Sequence, residues 1–178
     1  STVSLLINSR GAWFLTDTYC TDTPSPVEIA EATILAANHI RRFGLVPKAA
    51  LLSASNFGTR DIASAKRMRE ALAIIRQRAP DLEVDGEMHG DSALSPDIRE
   101  RVMPTSFLSG EANLLVFPSL DSANIALNLI KSMTEALHVG PILLGAAKPA
   151  HILTPSVTSR GVVNMSTLAA VEALARKR

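Results

Sequence analysis

The chain has 178 residues, enough for one or at most two domains with a substantial core. Apolar residues make up 47% and charged residues 20%, which argues against disorder, and no apolar run approaches the roughly 20 residues that span a bilayer. Lysine and arginine number 18 against 17 acids, too even a balance to draw in nucleic acid or an anionic membrane; the single cysteine, Cys20, excludes an internal disulfide and Cys/His zinc spacings.

A soluble, cytoplasmic protein is therefore expected, and Ser1 to Asn8 lacks the basic stretch that opens a secretory signal. TVSLLINSRGAWFLTD holds two apolar runs around the turn-forming Asn8-Ser9-Arg10-Gly11, which predicts a β-hairpin. Ser25-Pro26-Val27-Glu28 follows. Serine accepts from free amides, proline fits the first helical turn, and glutamate reaches back, so a helix should run from there to about Phe43 and stop at Gly44.

From Lys48 the pattern alternates. KAALLSA predicts a strand, Ile62 to Ala79 a helix, LEVDG a strand, and Pro96 to Met103 a short helix. NLLVFP predicts a strand, Asp121 to Leu137 a helix, PILLG a strand, and a last helix starts at about Ser166. Ile62, Ala65, Met68, Leu72 and Ile75 recur at spacings of three and four and form a core-facing stripe. Strands alternating with helices imply an α/β fold with a mostly parallel mixed sheet covered on both faces, a three-layer α/β/α arrangement.

In such folds ligands sit beyond the carboxyl ends of the strands. Four polar segments fall there: 53–58, 85–91, 118–124 and the stretch from Gly145. Ser53, Ser55 and Asn56 precede a helix, where hydroxyls and free amides can hold an anion; the alternative is a local turn with Asp61 capping the helix. Asp85, Glu87, His89 and Asp91 alternate as a metal set would, but the glycines between them favour a solvated polar loop, so no metal site is assigned. Dinucleotide, phosphate-loop, nucleophile-elbow and zincin motifs are absent, and Cys20 is expected as a small buried hydrophobe.

The strings LLSASNFGTRDIASAKRMREALAIIRQRAPDLEVDGEMHGDSAL, GEANLLVFPSLDSANIALNLIKSM and VGPILLGAAKPAHILTP resemble the phosphate acetyltransferase and butyryltransferase family, over nearly the whole chain from about Trp13. FLTDTY, PDLEVDGEMHGD and GAAKPAHILTPS are most similar to the branch that forms the carboxyl-terminal domain of bacterial NADP-dependent malic enzymes. The resemblance implies a two-lobed fold like that of isocitrate and isopropylmalate dehydrogenases. Residues 1–150 would be its second lobe, and 151–178 a segment and helix returning to a first lobe outside this sequence.

Active members carry, after a lysine-proline pair, a serine and an arginine that contact the reacting oxygens and then an acid that deprotonates the coenzyme A thiol. Aligned without gaps from Lys148-Pro149, the serine and arginine positions fall on Thr154 and Pro155 and the acid on Gly161, so Ser159-Arg160-Gly161 only imitates the motif. The resemblance thus implies a domain without catalytic residues that binds acetyl-CoA as an inhibitor of malate decarboxylation and builds a homo-oligomer. NADP and a divalent metal would belong to the malic enzyme domain, outside this sequence. Lys148 is expected on phosphate, Thr154 and Ser156 as hydroxyl donors, and Asn56 and Asn124 as amide contacts, with Ser53 and Ser55 nearby. Two alternatives stay open: an active phosphate acetyltransferase in which Arg160 replaces the missing arginine, and a purely structural oligomerisation lobe.

Overall fold

The computed structural model describes residues 1–155 and 157–175. The opening hairpin forms from β1 (Thr2–Asn8) and β2 (Gly11–Thr16). Its tight turn is closed by the Arg10 amide donating to Asn8 Oδ1 at 2.8 Å. Helix α1 (Pro26–Arg42) starts at the expected capping box: Glu28 N donates to Ser25 Oγ at 3.3 Å and Ser25 N to Glu28 Oε2 at 2.8 Å. These hydrogen bonds hold the exposed Glu28 carboxyl below its usual range. The helix ends where Gly44 takes the left-handed φ of +75°.

Strand β3 (Lys48–Leu52), α2 (Ala63–Arg78), β4 (Glu83–Met88), α3 (Gly90–Leu94), α4 (Pro96–Val102) and β5 (Leu114–Val116) follow. The chain continues through α5 (Leu120–Thr134), β6 (Leu137–Leu143) and α6 (Ser159–Ala175). The strands form one mixed sheet in the order β4-β3-β5-β2-β1-β6. Only β1 runs against its neighbours, pairing antiparallel with both β2 and β6, while the β2–β5, β3–β5 and β3–β4 pairs are parallel.

Alternation along the strands divides the core in two. Leu5, Phe14, Ala49, Leu51, Leu114 and Val116 face α1, α2 and Met165 of α6. Leu6, Leu15, Ala50, Leu52 and Leu115 face Ala93 of α3 and Leu127 of α5, which gives three layers. The α2 stripe is buried as its periodicity predicts at Ala65, Met68, Leu72 and Ile75, with each larger side chain contributing about 1.5–3 kcal/mol. Among the described residues no helix is long and apolar enough to cross a membrane.

Several sequence expectations need correction. The helix expected to reach Leu137 stops at Thr134, because Glu135 turns left-handed at φ +51° and Leu137 already opens β6. The last helix begins at Ser159 and not near Ser166, so Ser159-Arg160-Gly161 forms its first turn. The polar loop expected at 85–91 is strand β4 followed by α3, and Asp85 and Glu87 are buried on it. Ile62, not Asp61, caps α2, without a side-chain bond; Asp61 instead pairs with Lys66 at 3.1 Å. Cys20 is exposed, because it lies in the loop after β2 and packs under no element.

Candidate functional site

The chain leaves β3 through α2 toward one edge of the sheet and leaves β5 through α5 toward the other, with the two helices on opposite faces. That reversal opens a crevice beyond the carboxyl ends of the central strands. Around it lie the loops at 53–60, 17–24, 117–119 and 144–148.

The serine-rich loop and β4 lock onto each other. Ser55 Oγ donates to Glu87 Oε1 at 2.6 Å, Gly58 N donates to the same oxygen at 2.9 Å, and Arg69 Nη1 pairs with it at 2.9 Å. Burial pushes the Glu87 carboxyl up, but the bonds from Ser55, Gly58 and its own N–H, with the Arg69 charge, outweigh burial and hold it below its usual range. Asn56 Oδ1 accepts from His89 N at 2.7 Å, and Ser53 Oγ accepts from Ser55 N at 3.1 Å. On the same strand Asp85 pairs with Arg76 at 3.0 Å and accepts from the Phe107 amide at 2.8 Å. The polar atoms of Ser53, Ser55 and Asn56 that were candidates for a ligand therefore hold the loop. Asn124 likewise donates to Thr18 O at 3.2 Å and accepts from Asn128 at 3.1 Å.

A cleft of about 380 Å³ opens at the ends of β2, β5 and β6 against α1; Asp17, Glu28 and Glu31 make its wall acidic. It shares Leu35, Leu144 and Gly145 with a second cleft of about 250 Å³. The second is basic: Arg42 and Lys148 line it with His39, Asn38 and one acid, Glu172 of α6. His39 Nδ1 lies 3.3 Å from Glu172 Oε1, and Arg42 Nη1 lies 3.8 Å from that oxygen. Burial, then the Arg42 and His151 charges, push the His39 imidazole down to about 4, so it is neutral near pH 7. With the proton on Nδ1 facing the carboxylate, Nε2 is a buried acceptor without a partner among the described residues.

Thr154, Arg160 and Gly161 line a different groove, of about 550 Å³, beside the free edge of β6, together with Lys131, Glu135 and His138. Burial, then Lys131, lower the pKa of His138. A Cβ at Gly161 would stand 2.7 Å from Val157 Cγ2, so that methyl would have to move to admit a side chain. Lys148 and Thr154, expected on one ligand, thus line separate grooves with no residue in common. Ser156 falls outside the described residues. Sequence reasoning did not single out His39, Arg42 or Glu172, whose only signal was a polar pair closing α1 and the one acid of α6. Among the described residues no group of three or more His, Cys, Asp or Glu is placed to hold a metal.

A mixed six-stranded sheet with these connections is the lobe seen in phosphotransacetylases. The phosphotransacetylase of Streptococcus pyogenes superposes with a TM-score of 0.94 at 29% identity, over 98% of this chain and 54% of that one. The chain belongs to the family described as "Phosphate acetyl/butaryl transferase", which matches residues 1–170. Within it, the NAD-dependent malic enzyme of Rhizobium meliloti (strain 1021) is 67% identical over 97% of this chain and 22% of its own length. The NADP-dependent malic enzyme of Escherichia coli (strain K12) is 50% identical over 96% of this chain and 23% of its own. The chain therefore spans about a fifth of the malic enzymes it matches and about half of the phosphotransacetylase.

Proposed function

We propose that this chain is the second lobe of a regulatory phosphotransacetylase-like domain in a malic enzyme, binding acetyl-CoA without turning it over. The observation that carries this is the loss of reacting groups. An acyl transfer of this type needs a base for a thiol of pKa near 8.5 and fixed donors for the charge that develops on the acyl oxygen. In the gap-free register those positions hold Thr154, Pro155 and Gly161, and Val157 crowds the place where a carboxylate side chain would start. A hydroxyl remains at Thr154, and Lys148 remains exposed at the mouth of the basic cleft to meet phosphate.

Acetyl-CoA bound here shifts the parent enzyme toward a less active arrangement, provided it holds one lobe arrangement more tightly than the other. The fold is of the isocitrate and isopropylmalate dehydrogenase kind. Residues 151–178 join the first lobe, a role supported by Val163, Val171 and Leu174, which α6 leaves exposed. Self-association is supported by Ile125, Leu129 and Met133, an apolar stripe on α5 with exposures of 58%, 56% and 80%. The nicotinamide cofactor, NAD or NADP, and the divalent metal belong to the malic enzyme domain, and the assembly works in the cytoplasm.

Calorimetric titration of the complete parent with acetyl-CoA, followed by malate turnover at saturation, tests this. Heat of binding with slowed turnover is expected. Absence of both leaves only a structural lobe. One arrangement favours a second reading, an active phosphate acetyltransferase: Arg160 and Glu135 line the same groove as Thr154, a guanidinium and a carboxylate near the family's serine position.

A further inference from the structure

We infer that the basic cleft is a site for a phosphate-class anion, formed by His39, Arg42 and Lys148, and that the Glu172 carboxylate of α6 occupies it when no ligand is bound. The inference rests on the reading of Lys148 as a phosphate contact and adds the site's other members and its internal competitor. Two cations, Arg42 and Lys148, and the His39 imidazole line it against a single carboxylate, Glu172. That carboxylate is held loosely, at 3.3 Å from His39 and 3.8 Å from Arg42, where charge-assisted hydrogen bonds close to about 2.7–2.9 Å. Among the described residues Lys148 has no ion-pair or hydrogen-bond partner.

His39 supplies the independent sign. It is 3% exposed, so its one N–H is cut off from solvent and depends on a partner in the cleft, and the carboxylate it faces stands at 3.3 Å. A phosphate group has more acceptor oxygens and more charge than a carboxylate. It takes the Nδ1–H, the guanidinium and the ammonium together, where Glu172 engages two of the three. Exchange of Glu172 for the anion breaks its links to His39 and Arg42 of α1, while β6 is the element α6 packs against most in either case. The site thereby couples occupancy to the helix that carries the exposed Val163, Val171 and Leu174.

The test titrates this chain with inorganic pyrophosphate, reading affinity by calorimetry, the His39 imidazole signals by NMR, and amide exchange across 165–175. Glu172→Gln should bind about tenfold more tightly, the effect of removing one competing charge from a partly buried site, and Arg42→Ala about tenfold more weakly. Saturation should speed exchange in α6 of the unmodified chain and move the His39 signals. Pyrophosphate that fails to bind, Glu172→Gln with unchanged or weaker affinity, or α6 exchange that does not respond would each overturn the site. Arg42→Ala leaves every residue of α6 in place, so it decides the matter even if substitutions at Glu172 unfold the helix: unchanged affinity there also overturns it. A nucleoside diphosphate that binds more tightly than pyrophosphate assigns the site to organic phosphates, and equal affinity assigns it to the free anion. If acetyl-CoA does not bind the complete parent while the pyrophosphate pattern holds, the regulatory reading fails and this site stands; the reverse pattern removes the site alone.

Discussion

Glu87→Ala should be the most damaging single change on the serine-rich loop. The Glu87 carboxylate is fully buried and serves three donors from one oxygen: Ser55 Oγ at 2.6 Å, Gly58 N at 2.9 Å and Arg69 Nη1 at 2.9 Å. Removing one partner of a buried ion pair costs about 3–5 kcal/mol. The Arg69 side chain is 37% exposed and has Asp61 at 3.7 Å as a second partner, so the low end, about 3 kcal/mol, applies. In a domain of this size that lowers Tm by about 6–12 °C.

The pH dependence has a fixed sign. A folded-state pKa below the unfolded one gives stability that is present above the ordinary glutamate range and is lost as pH falls below that range through the lower folded-state value. Urea unfolding followed by far-UV circular dichroism, for the unmodified chain, Glu87→Ala and Glu87→Gln from pH 7 to pH 3, measures both effects. A loss under about 1 kcal/mol for Glu87→Ala, or undiminished acid sensitivity in Glu87→Gln, would refute the reasoning.

Other consequences can be checked on the same chain. His39, with its pKa lowered from 6.5 to about 4, is neutral when folded; stability should fall by about 3 kcal/mol as pH drops across that window, and His39→Gln should flatten the fall. Gly86→Ala should cost at least about 2 kcal/mol in urea unfolding, because the position holds φ +143° and a Cβ would stand 2.7 Å from Leu51 O. The proposed self-association through α5 should register in light scattering and be lost in the double change Ile125→Glu and Leu129→Glu, while the unfolding free energy moves by no more than about 0.5 kcal/mol.

Local signals carried most of the fold. Ser25, Pro26 and Glu28 form the predicted cap, and the three- and four-residue spacing from Ala65 to Ile75 marks the buried face of α2. What failed was set by tertiary partners. Asp85 and Glu87 look solvated in sequence, because the arginines that neutralise them, Arg76 and Arg69, come from the neighbouring helix. Thr134 ends α5 with no glycine or proline to announce it, and Gly161 with the β-branched Val162 and Val163 hid the first turns of α6. Lys148, singled out from its motif, lines the basic cleft. Its neighbours His39, Arg42 and Glu172 were not singled out, because they meet only when the ends of α1 and α6 are packed together.

The most direct test of the proposed loss of reacting groups is thioester absorbance after the complete parent is mixed with acetyl phosphate and coenzyme A. The account predicts no rise above the protein-free control. A sustained rise that disappears in Arg160→Ala would contradict it and make the groove beside β6 a working active site.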